Sequence, residues 1–249
     1  GPQGFLLEQC NLYRANLRGA HLYGIRIKGG SLMKADVSDA NLHCAELHDV
    51  NLLGIRWKNT RLDNLDTGRR LMQDRKGRSE RDPVQARVWF KEAEETYRDL
   101  RKASEAQGIF TMSGRYIQQE LTMRRLQMPF WSYHRFASWI VDLFCGYGEA
   151  PMRVVLFSLL LIFICSIFYF FCGLNFAGNH LIYRPEATLE ENATFLLECL
   201  YYSVVTFTTL GYGDFTPVGL SRIFAAFEAF TGSFTLALFV VVFVKKMTR

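Results

Sequence analysis

Thr206–Pro217 reads TFTTLGYGDFTP. Two glycines around one tyrosine, with threonines before and a proline after, form a tight turn in many settings. The flanks decide what they form here. Upstream, Phe195 to Thr206 is apolar, helix-compatible and about a dozen residues long, roughly half a membrane span at about 1.5 Å of rise per residue. Beyond it lie two longer apolar runs. Residues 154–172, VVLFSLLLIFICSIFYFFC, hold no charge. Leu220 to Val244 carries Arg222 near one end and Glu228 inside, and stops at Lys245-Lys246. A helix crosses a bilayer with about 20 apolar residues, so each long run spans once and the short segment must enter and leave by the same face. Non-helical backbone at membrane depth persists only where it lines a cavity or is buried in protein. The carbonyls of TTLGYG therefore need a partner, and a cation supplies one. Gly211 and Gly213 allow the left-handed dihedrals that turn successive carbonyls toward one axis. One strand cannot encircle an ion, so several chains must surround it.

With those flanks in place, Thr208-Thr209-Leu210-Gly211-Tyr212-Gly213-Asp214 resembles the selectivity filter of tetrameric potassium channels, usually T-V-G-Y-G. The resemblance covers residues 150–249, with an outer helix at 151–173, a pore helix at 193–207, the filter at 208–214 and an inner helix at 219–244. It implies a homotetramer in a lipid bilayer that conducts K+, with no organic cofactor. By similarity, the carbonyls of Thr209, Leu210, Gly211 and Tyr212 and the Thr209 hydroxyl coordinate dehydrated K+, and Gly213 completes the outer mouth beside Asp214. Leu210 replaces the commoner Val and packs behind the filter. Tyr212 packs against pore-helix aromatics of a neighbouring subunit. Tyr201 and Tyr202 stand where some relatives carry Trp. Val205 stands where some carry a Glu that pairs with the filter Asp, so the resemblance implies altered filter inactivation. Gly232, midway along the inner helix, is a gating-hinge candidate, with close helix packing as the alternative. Glu228 is an intramembrane acid, either functional or hydrogen-bonded to a pore-helix Ser or Thr. No regular series of arginines marks a voltage sensor.

Composition agrees with a two-part chain. Of 249 residues the first 150 are mixed and polar, and the last 100 are largely apolar. The formal charge of +5 is modest and gives no basis for nucleic-acid binding. Arg124, Arg125, Arg135 and Arg153 precede the first run, and Lys245, Lys246 and Arg249 follow the second. The loop between holds Glu186, Glu190 and Glu191 against Arg184. The positive-inside rule then puts both termini in the cytoplasm of a multi-pass plasma-membrane protein, read as bacterial inner membrane. The six cysteines form no C-x-x-C pair and read as reduced thiols. Gly1-Pro2 reads as a cleavage scar.

From Phe5 a five-residue repeat opens the chain. Its central position is Leu7, Leu12, Leu17, Leu22, Ile27, Leu32 and onward to Leu62, with Ala15, Ala20, Ala35, Ala40 or another small or apolar residue two places before. Two apolar positions in five, held in phase, suit a four-sided solenoid. The pattern resembles the pentapeptide-repeat family, A-(D/N)-L-x-x, which implies a right-handed quadrilateral β-helix over 5–66. Its arginines and lysines balance its acids, which removes the electrostatic basis of DNA mimicry. It reads as a spacer or as the receiver of a cytoplasmic protein or ligand.

Residues 67–82 read as an exposed, mobile charged linker. A helical hairpin follows over 83–128, with Asp82 as N-cap, Gln107-Gly108 as C-cap, and Trp89, Ala93, Tyr97, Leu100, Ala103, Ile117 and Leu121 on its buried faces. Residues 130–146 read as an interfacial amphipathic helix with Trp131 and Trp139. No nucleophile–base pair, metal cluster or phosphate loop points to an enzyme, and no nucleotide or Ca2+ motif names a stimulus. A nonselective cation pore and a membrane-anchored scaffold are the alternative readings.

Overall fold

A computed structural model describes residues 4–248; Gly1-Pro2 and Arg249 lie outside the described residues. The chain divides into two compact units, one ending at Leu143 and one running from Phe144 to Thr248.

In the first unit the five-residue period becomes a twenty-residue pairing. Strands β1 (Leu6–Glu8), β2 (Arg26–Lys28) and β3 (Glu46–His48) pair in parallel, Leu7 opposite Ile27 and Ile27 opposite Leu47. Parallel bridges continue the same offset at Asn11–Ser31, Asn16–Asp36 and His21–Asn41. Local chemistry sets each corner. The Asn, Asp or Ser before the central residue accepts the backbone N–H two places on, as Asn11 does from Tyr13, Asp36 from Ser38 and Asn51 from Leu53. The position two after the central residue takes a positive φ, at Arg14, Gly19, Gly24, Gly29, Lys34, Asp39 and on to Asn64. Gly, Asn and Asp are frequent there because they tolerate it best. The central residues from Ile27 to Leu62 and the small residues Ala35, Ala40 and Ala45 are buried, while Leu7, Leu12, Leu17 and Leu22 are partly so.

Residues 67–82 are not the exposed linker expected. They hold α1 (Met72–Ser79), with Leu71, Gln73, Asp74 and Gly77 buried. The arginines turn outward while Asp74 is satisfied inside, accepting from Arg78 at 2.6 Å and from the Tyr97 hydroxyl at 3.3 Å. Gly77 allows the approach of Phe90, whose ring would lie 2.7 Å from a Cβ there. Helices α2 (Pro83–Ala106) and α3 (Phe110–Gln127) form an antiparallel pair. Asp82 caps α2 by accepting from Val84 N–H, and Gly108, at φ +70°, ends it. The buried face of α3 is Tyr116, Glu120 and Met123, with Ile117 and Leu121 only half-buried. Glu120 explains the rotation, because Arg98 and Arg101 of α2 hold its carboxylate at 3.2 and 2.8 Å. Trp89 is half-buried under the Lys76 ammonium.

The Tyr97 hydroxyl also accepts the Leu71 N–H at 3.1 Å. Tyr97→Phe removes that acceptor and a donor to buried Asp74, a loss of about 1–3 kcal/mol. Hydrogen exchange over residues 71–79 should quicken by about tenfold or more; unchanged protection would show that α1 is held by apolar packing alone. Helix α4 (Tyr133–Cys145) follows, tied to α3 by the Arg125–Asp142 ion pair at 2.8 Å. Trp131, Tyr133, Phe136 and Trp139 are exposed.

The second unit is built on α5 (Pro151–Cys172), α6 (Leu189–Phe207) and α7 (Ser221–Met247), each packed on the other two. Both α5 and α7 are long and apolar enough to cross a membrane, and only 22% of each apolar window is buried. A core helix of a water-soluble protein would be mostly covered. Short strands β4 (Leu174–Phe176), β5 (Asn179–Leu181) and β6 (Phe215–Pro217) form an antiparallel sheet in the order β5-β4-β6. All six cysteines are free thiols.

Candidate ion-conduction site

The short apolar segment is the later part of α6, which runs 19 residues in all and begins four residues earlier than the expected 193. Thr188 and Glu191 form a reciprocal cap: the Thr188 hydroxyl accepts the Glu191 N–H at 3.3 Å and the Glu191 carboxylate accepts the Thr188 N–H at 3.0 Å. That T-x-x-E signal stood in the sequence. At the other end the chain stays tied to the helix as it leaves. Thr208 N–H donates to Val204 O, Thr209 N–H to Thr206 O, and Leu210 N–H to Val205 O.

From there the backbone alternates. Thr209, Gly211 and Gly213 have φ of +57°, +58° and +80°, and Leu210 and Tyr212 between them are not positive. Alternation of hand along a chain lets successive carbonyls face the same side of an extended segment, whereas those of an ordinary strand alternate. The sequence pointed to the two glycines but not to Thr209. A β-branched residue in the left-handed region costs roughly 1–2 kcal/mol, the kind of strain held at functional sites. A Cβ at Gly211 or Gly213 meets no atom within 4 Å, so the dihedral and not space within the chain calls for glycine.

Leu210 and Tyr212 are exposed in the single chain. Behind them opens a cleft of about 340 Å³ lined by Tyr202, Val205, Thr206, Thr209, Phe215 and Ala229, among others. Asp214 accepts the Phe215 N–H at 3.0 Å, and the Tyr201 hydroxyl faces its carboxylate. Tyr201 lies one turn before Val205, so a phenol meets the aspartate where Val205 offers no polar side chain. Val205 is buried and meets the filter through its carbonyl. Tyr202 is buried, edge-on to Tyr169 at 4.9 Å.

Glu228 is fully buried and joins all three helices. It accepts from the Tyr169 hydroxyl of α5 at 2.6 Å and contacts the Ser203 hydroxyl of α6. Ser203 also lies 2.9 Å from the Ile162 carbonyl of α5. A pore-helix serine was the expected partner; Tyr169, 59 residues away, carried no sequence signal. Gly232 lies where α7 passes the end of α6. A Cβ there would sit 2.1 Å from the Phe207 carbonyl oxygen. This is the close approach that the packing alternative requires, and α7 runs unbroken through it.

Comparison with known families bears on both ends of the chain. Residues 156–249 match a family model described as ion channel, and residues 3–32 match the model for pentapeptide repeats, in eight copies. The ion-channel match takes in α6, α7 and all but the first residues of α5. The chain carries pentapeptide repeats at its N-terminus, as the sequence pattern implied. No curated protein and no solved structure matches significantly.

Proposed function

We propose that the chain is one subunit of a homotetrameric, K+-selective channel with both termini in the cytoplasm, opened by a signal received on its cytoplasmic side. The observation that carries this reading is the alternation of φ at Thr209, Gly211 and Gly213, set between two apolar spans at the end of the capped helix α6. Four such strands around one axis would replace the water of a dehydrated cation with backbone carbonyls. The cleft behind the filter is large enough for a tyrosine, and Tyr212, exposed in one chain, is the group a neighbour would place there. The twenty-residue parallel offset supports four five-residue units per turn for the repeat, as a quadrilateral β-helix requires; its right hand rests on the family resemblance. The exposed aromatics flanking and lining α4 suit the lipid interface. Gly232 remains a hinge candidate only if α7 bends there in another state.

The test is the reversal potential of the purified protein in planar bilayers with K+ on one side and Na+ on the other. A value near the K+ limit is expected. Gly213→Ala, which strains the filter backbone, should abolish that selectivity or the current itself. A reversal near zero in the unaltered protein would replace this reading with a nonselective pore.

A further inference from the structure

Between the end of the repeat and the start of α1 lies a cleft of about 510 Å³ lined by His48, Asp49, Thr67, Arg69, Arg70 and Arg75, with Gly68 at its base. Apart from the His48 imidazole, every side chain that lines it is charged or carries a hydroxyl. Its acceptors are already engaged. Asp49 pairs with Arg75. Asp66, beside the cleft, accepts from Gly68 N–H at 2.8 Å and pairs with His48 at 3.1 Å. Thr67 shares a hydrogen bond with Tyr116, and the Gly68 carbonyl accepts from Arg115. Arg69 and Arg70 have no carboxylate partner among the described residues. Elsewhere in this unit Arg18, Arg56, Arg78, Arg98 and Arg101 each reach one.

We propose that this cleft binds a phosphate-bearing anion, held by the guanidinium groups of Arg69 and Arg70 with Arg75 beside them. Guanidinium forks match phosphate oxygens in pairs, and two adjacent unneutralised arginines favour a ligand of more than one negative charge. The volume exceeds a single phosphate and falls in the range of nucleotide-sized sites. The walls come from three separate stretches of chain: the coil at residues 48–49, the exit at 67–70, and α1 at residue 75. A ligand that touches all three fastens α1 to the end of the repeat. Because α1 packs on α2, occupancy changes how firmly the repeat is joined to the helical pair. This deepens the proposed function by naming a chemical class for the cytoplasmic signal, and its regulatory meaning rests on that reading.

The experiment titrates the full-length protein in detergent with inorganic triphosphate and then with ATP, and the protein reconstituted in nanodiscs is mixed with vesicles containing a phosphoinositide. The readout is saturable heat of binding or a saturable rise in melting temperature. The expected result is binding of a soluble phosphate that weakens about tenfold or more in the Arg69→Ala/Arg70→Ala double variant and fades as salt rises. Both residues are exposed and unpaired, so the double variant should fold. Binding only to vesicles, lost in the same variant, would keep the site and assign its phosphate to a lipid headgroup. Equal binding by the double variant, or none by any probe at millimolar concentration, would overturn the proposal. Ligand binding is read on the protein in detergent or nanodiscs and the channel reading on the reversal potential of whatever K+ current passes in bilayers, so the two can fail independently.

Discussion

Gly232→Ala should cripple the pore. The added methyl would lie 2.1 Å from the Phe207 carbonyl oxygen and 2.9 Å from its carbon, inside any allowed contact. The neighbour is backbone at the last residue of the pore helix, so no flexible side chain can move aside. Overpacking a tight site costs about 1–3 kcal/mol, and backbone against backbone belongs at the upper end. The strain also falls one residue before the helix hands over to the filter. The expected outcome is a fall of several degrees in melting temperature together with loss of most single-channel current. A hinge role alone predicts altered gating with unchanged stability. Wild-type melting with reduced open probability would therefore favour the hinge over the contact.

Glu228→Ala should be comparably severe, and Glu228→Gln mild. The alanine leaves the buried Tyr169 hydroxyl without its acceptor, at about 1–3 kcal/mol, and adds a cavity, while Ser203 keeps the Ile162 carbonyl. Glutamine keeps the shape. Its carbonyl oxygen accepts from Tyr169 and its amide donates to Ser203, freeing the one Ser203 proton for the Ile162 carbonyl. The gap between the two variants, read as melting temperature and as flux, should be about 2–4 kcal/mol in equivalent stability. If glutamine fails as badly as alanine, the charge and not the bonding pattern is what the site needs.

Much of this architecture was legible in the sequence because its strongest constraints are local or periodic. The repeat announces itself through two apolar positions in five, and the spans through length without charge. The filter is legible because carbonyls at membrane depth need a partner and only glycine turns them freely. The less legible features depend on partners distant in sequence. Residues 67–82 look like a linker because arginines dominate their composition. The burial of Asp74 depends on Tyr97, and that of Gly77 on Phe90. The inner face of α3 is hidden in the sequence because Glu120 is charged, and its two arginines belong to another helix. Thr209 shows the reverse limit: its left-handed backbone contradicts its own preference and follows from its place between pore helix and Gly211. Its sign was hidden because local propensity pointed the other way.

The stretch proposed as the filter is fastened at both ends. On one side Leu210 N–H holds to Val205; on the other Phe215–Pro217 is stitched to Leu174–Phe176, and Ser221 Oγ donates to the Gly173 carbonyl at 2.7 Å. A strand clamped between two posts has little slack to stretch, so it can respond mainly by twisting. One post is the pore helix. The other is the short hairpin at the end of α5, which, in the channel proposed, makes that hairpin a second handle on conduction, independent of any bend in α7.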